Sequence, residues 1–252
     1  MLNIVIPMAG HGSRFQKAGY TLPKPLIPVH GRPMIEVVIS NLRPRCPHRF
    51  IFICLQEHLD RYGLAGRLAA WAPGCAVLTT DGVTEGAACT VLLAAALIDN
   101  DTPLMIAISD QWVDVVIDHY LAEFETRALD GLIMTMRADD PKWSFVKLDD
   151  DGLAREVVEK QVVSNEATVG IYNYRSGHDF CVAARAMIAG GARVNNEFYV
   201  APAYNDMIAT GARVGVYNVG AVGAGMHGLG TPEDLAAFTR APDSLRLSAR
   251  GR

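Results

Sequence analysis

The chain has 252 residues, 50% of them hydrophobic, with 23 basic and 27 acidic side chains and a formal net charge of -4. At ~100–200 residues per domain this is one large domain or two small ones. The charge balance, with no Lys/Arg block, argues against a general nucleic-acid binder, and no run reaches ~18 uninterrupted apolar residues, so no membrane span is expected.

The amino terminus lacks a basic lead segment, and Asn3 and Pro7 interrupt its apolar run, so Leu2 to Pro7 reads as a first strand rather than a signal peptide. Arg49 to Cys54, Ala76 to Thr80 and Leu104 to Ile108 are further short runs, apolar on both faces as central parallel strands require. Between them Met34 to Leu42, Gln56 to Ala70 and Gly86 to Ile98 carry helical patterns. That alternation predicts an α/β fold of three layers, a mostly parallel sheet flanked by helices. Beyond residue 130 the texture changes. Gly131 to Arg137 reads as a strand, Phe145 to Leu148 and Leu153 to Glu159 as a hairpin about an acidic turn, and Thr168 to Tyr174 as another strand. Ser176 starts a helix reaching Ala189, Tyr204 to Thr210 forms a shorter one, Arg213 to Val219 is a late strand and Pro232 to Thr239 a last helix. No linker separates the halves, which predicts one domain over 1–240, and 241–252 reads as a loose tail. Cysteines stand at 46, 54, 75, 89 and 181, an odd number with no C-x-x-C pair. Reduced thiols in a cytoplasm are expected, rather than a disulfide or zinc framework.

The segment after the first strand is Met8-Ala9-Gly10-His11-Gly12-Ser13-Arg14-Phe15. Glycines at 10 and 12 let backbone N–H groups approach an anion without a Cβ in the way. Ser13 adds a hydroxyl donor, and Arg14 a planar cation suited to phosphate oxygens. The dinucleotide fingerprint fails because Phe15 stands where its third glycine belongs, and the G-x-x-x-x-G-K-[ST] loop is absent. G-x-G alone is equally an ordinary tight turn. Leu22-Pro23-Lys24-Pro25-Leu26 then sets a lysine between two prolines, whose fixed φ predicts a stiff extended segment that brings Lys24 back to the same anion.

Gly10 to Phe15, followed by Pro23-Lys24-Pro25-Leu26 and Gly31-Arg32-Pro33-Met34, resembles the signature of the sugar-phosphate nucleotidyltransferases: G-x-G-[ST]-R-[LF], then P-K-x-[LM], then G-[KR]-P-[ML]. The resemblance implies a GT-A-like, Rossmann-like fold. It implies transfer of a nucleotidyl group from a nucleoside triphosphate to a phosphorylated acceptor, a sugar 1-phosphate first and a non-sugar phosphate as the alternative, with Mg²⁺ as cofactor. It makes 1–130 the nucleotide-binding half, with contacts from Met8, Ala9, Gly10, Gly12 and Ser13 and with Arg14 and Lys24 catalytic. Residues 131–240 become the acceptor half.

Asp110 follows the strand run 104–108, at the carboxyl end where parallel strands present ligand sites. It is either the metal-binding carboxylate the resemblance implies or a cap on the next element. In the loop Asp81 to Ala88, small residues would let a flat base lie against the backbone at Gly86. Glu85 either accepts from a base amine or sits near the positive end of the next helix. Glu159-Lys160 resembles the family's acceptor-binding pair, Gly170 would permit close approach of the acceptor, and Glu197 resembles a further acceptor contact. Met226 to Leu235 departs from the family's W-x-D-x-G-T-P: Gly228 replaces the aspartate, which leaves Asp110 as the one metal carboxylate. A GT-A glycosyltransferase is the competing reading, although Asp110-Gln111-Trp112 lacks its D-x-D. Self-association stays open.

Overall fold

The computed structural model of the chain describes residues 1–247. β1 (Leu2–Met8) leads through α1 (Ser13–Lys17) and a 3-10 turn at Lys24–Leu26 to β2 (Pro28–Val29), β3 (Arg32–Pro33) and α2 (Met34–Leu42). β4 (His48–Leu55), α3 (Gln56–Tyr62), α4 (Leu64–Trp71), β5 (Ala76–Thr80), α5 (Ala87–Leu92), α6 (Ala95–Ile98) and β6 (Leu104–Ala107) complete the first half. Next come β7 (Gln111–Val113), α7 (Ile117–Thr126), β8 (Gly131–Arg137), β9 (Ser144–Leu148), β10 (Ala154–Glu159) and β11 (Glu166–Tyr174). The chain continues through α8 (Gly177–Ala189), α9 (Tyr204–Ala209), β12 (Val214–Val222), β13 (Gly225–Gly228) and α10 (Pro232–Arg240) to a 3-10 helix at Pro242–Leu247.

Eleven strands form one mixed sheet in the order β5-β4-β1-β6-β11-β8-β12-β13-β7, with β9 and β10 attached beside β11. β1 is parallel to β4 and β6, and β4 to β5. β11 enters antiparallel between β6 and β8, and joins the two halves of the chain. Because β1, β5 and β6 run the same way, the loops leaving their carboxyl ends share one edge of the sheet. Side chains alternate across β1. Ile4, Ile6 and Met8 pack with Val38, Leu42 and Leu68 on one face, while Val5 packs with Val91, Ile98 and Phe180 on the other. Each such side chain, fully buried, stabilises the layers by roughly 1.5–3 kcal/mol. A third cluster of Phe15, Ile27, Met34, Trp112, Leu229, Phe238 and Leu247 lies under the loops at the sheet edge.

Several sequence expectations are corrected. The helix expected over 56–70 breaks at Gly63, which has a left-handed φ of 57°. The one expected over 86–98 breaks between Leu92 and Ala95. Lys24 is not extended: Pro25 fits the second position of a 3-10 turn, where its missing N–H is not needed. The tail is not loose through 247. Ser244 and Leu247 are buried, His30 bonds Ser244, and Arg32 donates to the Leu247 carbonyl at 3.1 Å; 248–252 lie outside the described residues. Among the described residues no helix is long and apolar enough to cross a membrane.

Candidate functional site

β1 delivers the loop 8–14 to the sheet edge. Gly12, at φ 64°, starts α1, and a Cβ there would lie 3.0 Å from the Cβ of Lys24. Loop and lysine therefore pack against each other, held from below by buried Phe15 in its cluster with Ile27 and Trp112. A Cβ on Gly10 would meet nothing within 4 Å, so the backbone is open there. Ser13 and Arg14 are exposed, and the Arg14 side chain makes no ion pair among the described residues.

Lys24 Nζ stands 2.9 Å from Asp110 Oδ2, with both side chains about three-quarters buried (24% and 20% exposed). Asp110 sits between β6 and β7, and its backbone carbonyl accepts from Leu229 N at 2.8 Å. A Cβ on Gly230 would lie 2.5 Å from Asp110 Oδ2, so the bare Cα makes room for the carboxylate. Gly228 pairs with Gln111 across β13 and β7, and a Cβ there would face the Asp234 carboxylate at 3.4 Å. Gln111 is buried with neither amide atom bonded. Among the described residues no group of three His, Cys, Asp or Glu side chains could hold a metal ion.

A cavity of about 320 Å³ runs from this loop toward α5. Met8, Ala9, Gly10 and Lys24 line it on one side, Thr84, Gly86 and Thr90 on the other, with Glu197 alongside. Glu85 does not line it. Its carboxylate pairs with Arg193 at 2.9 Å, and its carbonyl accepts from Phe198 N at 2.8 Å, so it clips two loops together. Gly86 lines the cavity and also lets the Phe198 backbone pack closely: a Cβ there would lie 2.4 Å from the Phe198 carbonyl oxygen. Thr84 and Thr90, which the sequence reading passed over, contribute hydroxyls alongside Ser109; no motif marks them.

In the second half, β10 delivers Glu159 and Lys160. Glu159 is buried, bonded by Ser144 Oγ, and its carboxyl is raised above the ordinary value by burial, with Ser144 and Lys160 opposing. Lys160 occupies a left-handed φ of 56°, which costs a non-glycine residue ~1–2 kcal/mol. Its Nζ lies 3.6 Å from Glu159 Oε1 and 5.0 Å from the ring centre of Tyr199. Tyr199 is a further residue the sequence reading did not single out as a site. Gly170 does not open onto an acceptor: the space a side chain would take is filled by Ile108, 2.5 Å from the would-be Cβ. That expectation is corrected to close packing between β11 and the end of β6.

A sequence profile for the nucleotidyl transferases matches residues 4–196. The bifunctional protein GlmU of Burkholderia orbicola is 29% identical over 168 residues, 66% of this chain. The chain spans about a third (35%) of the length of that relative. Two solved structures share the fold. The nucleoside-diphosphate-sugar pyrophosphorylase of Vibrio cholerae superposes with a TM-score of 0.80 at 24% identity, covering 94% of this chain and 99% of that one. The inositol-1-phosphate CTP transferase of T. maritima superposes with a TM-score of 0.75 at 13% identity, covering 98% and 95%.

Proposed function

The chain belongs to the nucleotidyl transferase family, and from that premise we propose that it moves a nucleotidyl group from a nucleoside triphosphate to a phosphorylated small molecule, a sugar 1-phosphate first among candidates, releasing pyrophosphate. The observation that carries this reading is the Lys24–Asp110 pair at 2.9 Å beside the open backbone of Gly10. A cation, a carboxylate and unobstructed N–H groups at one sheet edge suit a triphosphate with its metal ion.

Asp110 fits Mg²⁺, which takes oxygen ligands and commonly uses one or two carboxylates plus substrate phosphates. Asp110 would hold it, with the triphosphate and water supplying the remaining oxygens. When bound, Mg²⁺ supplies charge neutralisation on the phosphates. Lys24, 2.9 Å from Asp110 in this structure, would turn to the α-phosphate once a triphosphate is bound. Arg14, exposed and without an ion pair among the described residues, grips the leaving pyrophosphate. Lys160 draws the acceptor phosphate in from the other half, and Glu159 accepts hydrogen bonds from acceptor hydroxyls. An acceptor phosphate oxygen attacks the α-phosphorus in line, and the bond to the pyrophosphate oxygen breaks. The acceptor phosphate is already ionised, so no general base is needed. Catalysis is positioning and electrostatic stabilisation.

The test is a pyrophosphate-release screen of five triphosphates against sugar 1-phosphates and other phosphomonoesters with Mg²⁺. In the active combination Lys24→Ala should raise the barrier by at least ~2.7 kcal/mol, the scale of losing one preorganised donor. An unchanged rate would remove Lys24 from the mechanism.

A further inference from the structure

Among the described residues five polar side chains line the nucleotide cavity: Lys24, Thr84, Thr90, Ser109 and Glu197. Lys24 is held by Asp110 at 2.9 Å. The Thr84 and Thr90 hydroxyl oxygens lie 2.6 Å apart, and both reach the Gly86 carbonyl oxygen, so each already has a partner. Glu197 is exposed. Ser109 differs from all four. The residue is only 4% exposed, and its hydroxyl makes no hydrogen bond among the described residues. Nor is that oxygen one of the unbonded atoms closed off from solvent, so it opens on the cavity and not into the core. β6 sets its position. Val5 and Ile106 are partners in the parallel β1–β6 pair, so Ser109, three residues on, lies beside the Met8 end of β1, and Asp110 follows it in the chain. Ser109 therefore adjoins the phosphate end marked by Gly10, Lys24 and Asp110. A triphosphate laid with its phosphates there brings its ribose next along the cavity. Pro7, Met8, Ala9 and Pro25, which line the same side, have no polar side chain to meet it. A serine hydroxyl donates one proton and accepts two, so it can meet a sugar hydroxyl in either sense.

We propose that Ser109 is a nucleotide-binding residue whose side-chain hydroxyl hydrogen-bonds a ribose hydroxyl of the bound triphosphate. The inference rests on the nucleotidyl-transfer reading above and adds a contact that the chemistry at phosphorus does not require. It also separates binding from folding. A hydroxyl that bonds no protein atom gives the fold nothing that alanine would lose, whereas a bound ribose would lose its partner.

Calorimetric titration of the full chain with ATP, CTP, GTP, UTP and dTTP, each with Mg²⁺, needs no acceptor. The base that binds tightest is then compared as its ribo, 2′-deoxy and 3′-deoxy triphosphates, with wild type and with Ser109→Ala. Removing the bonded ribose hydroxyl should weaken wild-type binding about fivefold, the worth of one net hydrogen bond. Ser109→Ala should weaken binding of the ribonucleotide by a similar factor. Against the analogue that lacks the bonded hydroxyl, the variant and the wild type should bind alike, because the two losses are the same bond. The unfolding temperature of Ser109→Ala without ligand should match the wild type. The proposal is overturned if Ser109→Ala binds the ribonucleotide as tightly as the wild type. It is equally overturned if the variant's loss persists undiminished against both deoxy analogues, which would put the hydroxyl on a phosphate or the base. Nucleotidyl transfer would survive either result. Binding of none of the five would instead overturn the nucleotidyl-transfer reading, and this one with it.

Discussion

Gly230→Ala is the sharpest test of how the site is built. The position has no left-handed φ, so alanine brings no backbone strain, only one methyl group. That methyl would land 2.5 Å from Asp110 Oδ2 and 3.4 Å from its Cγ. Non-bonded carbons rest ~3.5–4.0 Å apart, so the carboxylate must withdraw by roughly 1 Å, and with it goes the 2.9 Å contact to Lys24. A displacement of this size at a reacting centre lowers rate by ~10²-fold, equivalent to ~2.7 kcal/mol. Fold stability should change far less, because the Asp110 side chain is still 20% exposed and can swing toward solvent. We expect kcat/KM, from initial rates of pyrophosphate release, to drop about a hundredfold while the unfolding temperature falls by only ~2–4 °C, the effect of ~1 kcal/mol in a chain of this length. Wild-type kcat/KM in Gly230→Ala would show that Asp110 does not need this position, and the metal and Lys24 assignments would both fall.

Two other expectations concern the acceptor half. Burial raises the Glu159 carboxyl above its ordinary 4.5, so the folded chain holds this proton to higher pH than the unfolded chain. The contribution to stability is therefore fully present below about 4.5 and is lost as pH rises through the folded value. In urea unfolding, wild type should lose stability relative to Glu159→Gln as pH climbs from 4.5; a wild type that gains stability relative to the variant over that range would contradict the assignment. Lys160→Met keeps the stem over Tyr199 but removes the charge. It should raise KM for the phosphorylated acceptor at least ~10-fold, the value of one charge-assisted hydrogen bond, and leave KM for the triphosphate unchanged. Equal rises in both would move Lys160 out of the acceptor site.

Pattern in one dimension was enough for the strands buried on both faces. β8 falls where its run begins and ends, and β1, β4 and β6 lie within one residue of theirs, because burial on both sides keeps the run apolar; β5 matches its run too, although it is a half-buried edge strand. β7 and β13 were not legible. Gln111–Val113 and Gly225–Gly228 are too short for a period and exist because they pair with each other. α7 was legible and passed over: Ile117, Tyr120, Leu121 and Phe124 recur at helical spacing. The site divides in the same way. Gly10, Gly12 and Lys24 stand in the motif, and the structure brings them together: Gly12 packs against Lys24, and Gly10 and Lys24 line one cavity. Gly86 and Gly170 were given close approach of a substrate as their reason and Gly230 was given none, since what occupies the space beside a missing Cβ is a fact of three dimensions. Ile108 fills it at Gly170, the Phe198 backbone fills it at Gly86, and the Asp110 carboxylate fills it at Gly230. The late segment shows why the distinction matters. Sequence comparison drew attention to Gly228 as a lost carboxylate, yet the residue that touches Asp110 is Gly230, two positions on. The segment serves the candidate metal carboxylate by leaving room for it, a role that only glycine can fill and that the loss at 228 does not disturb.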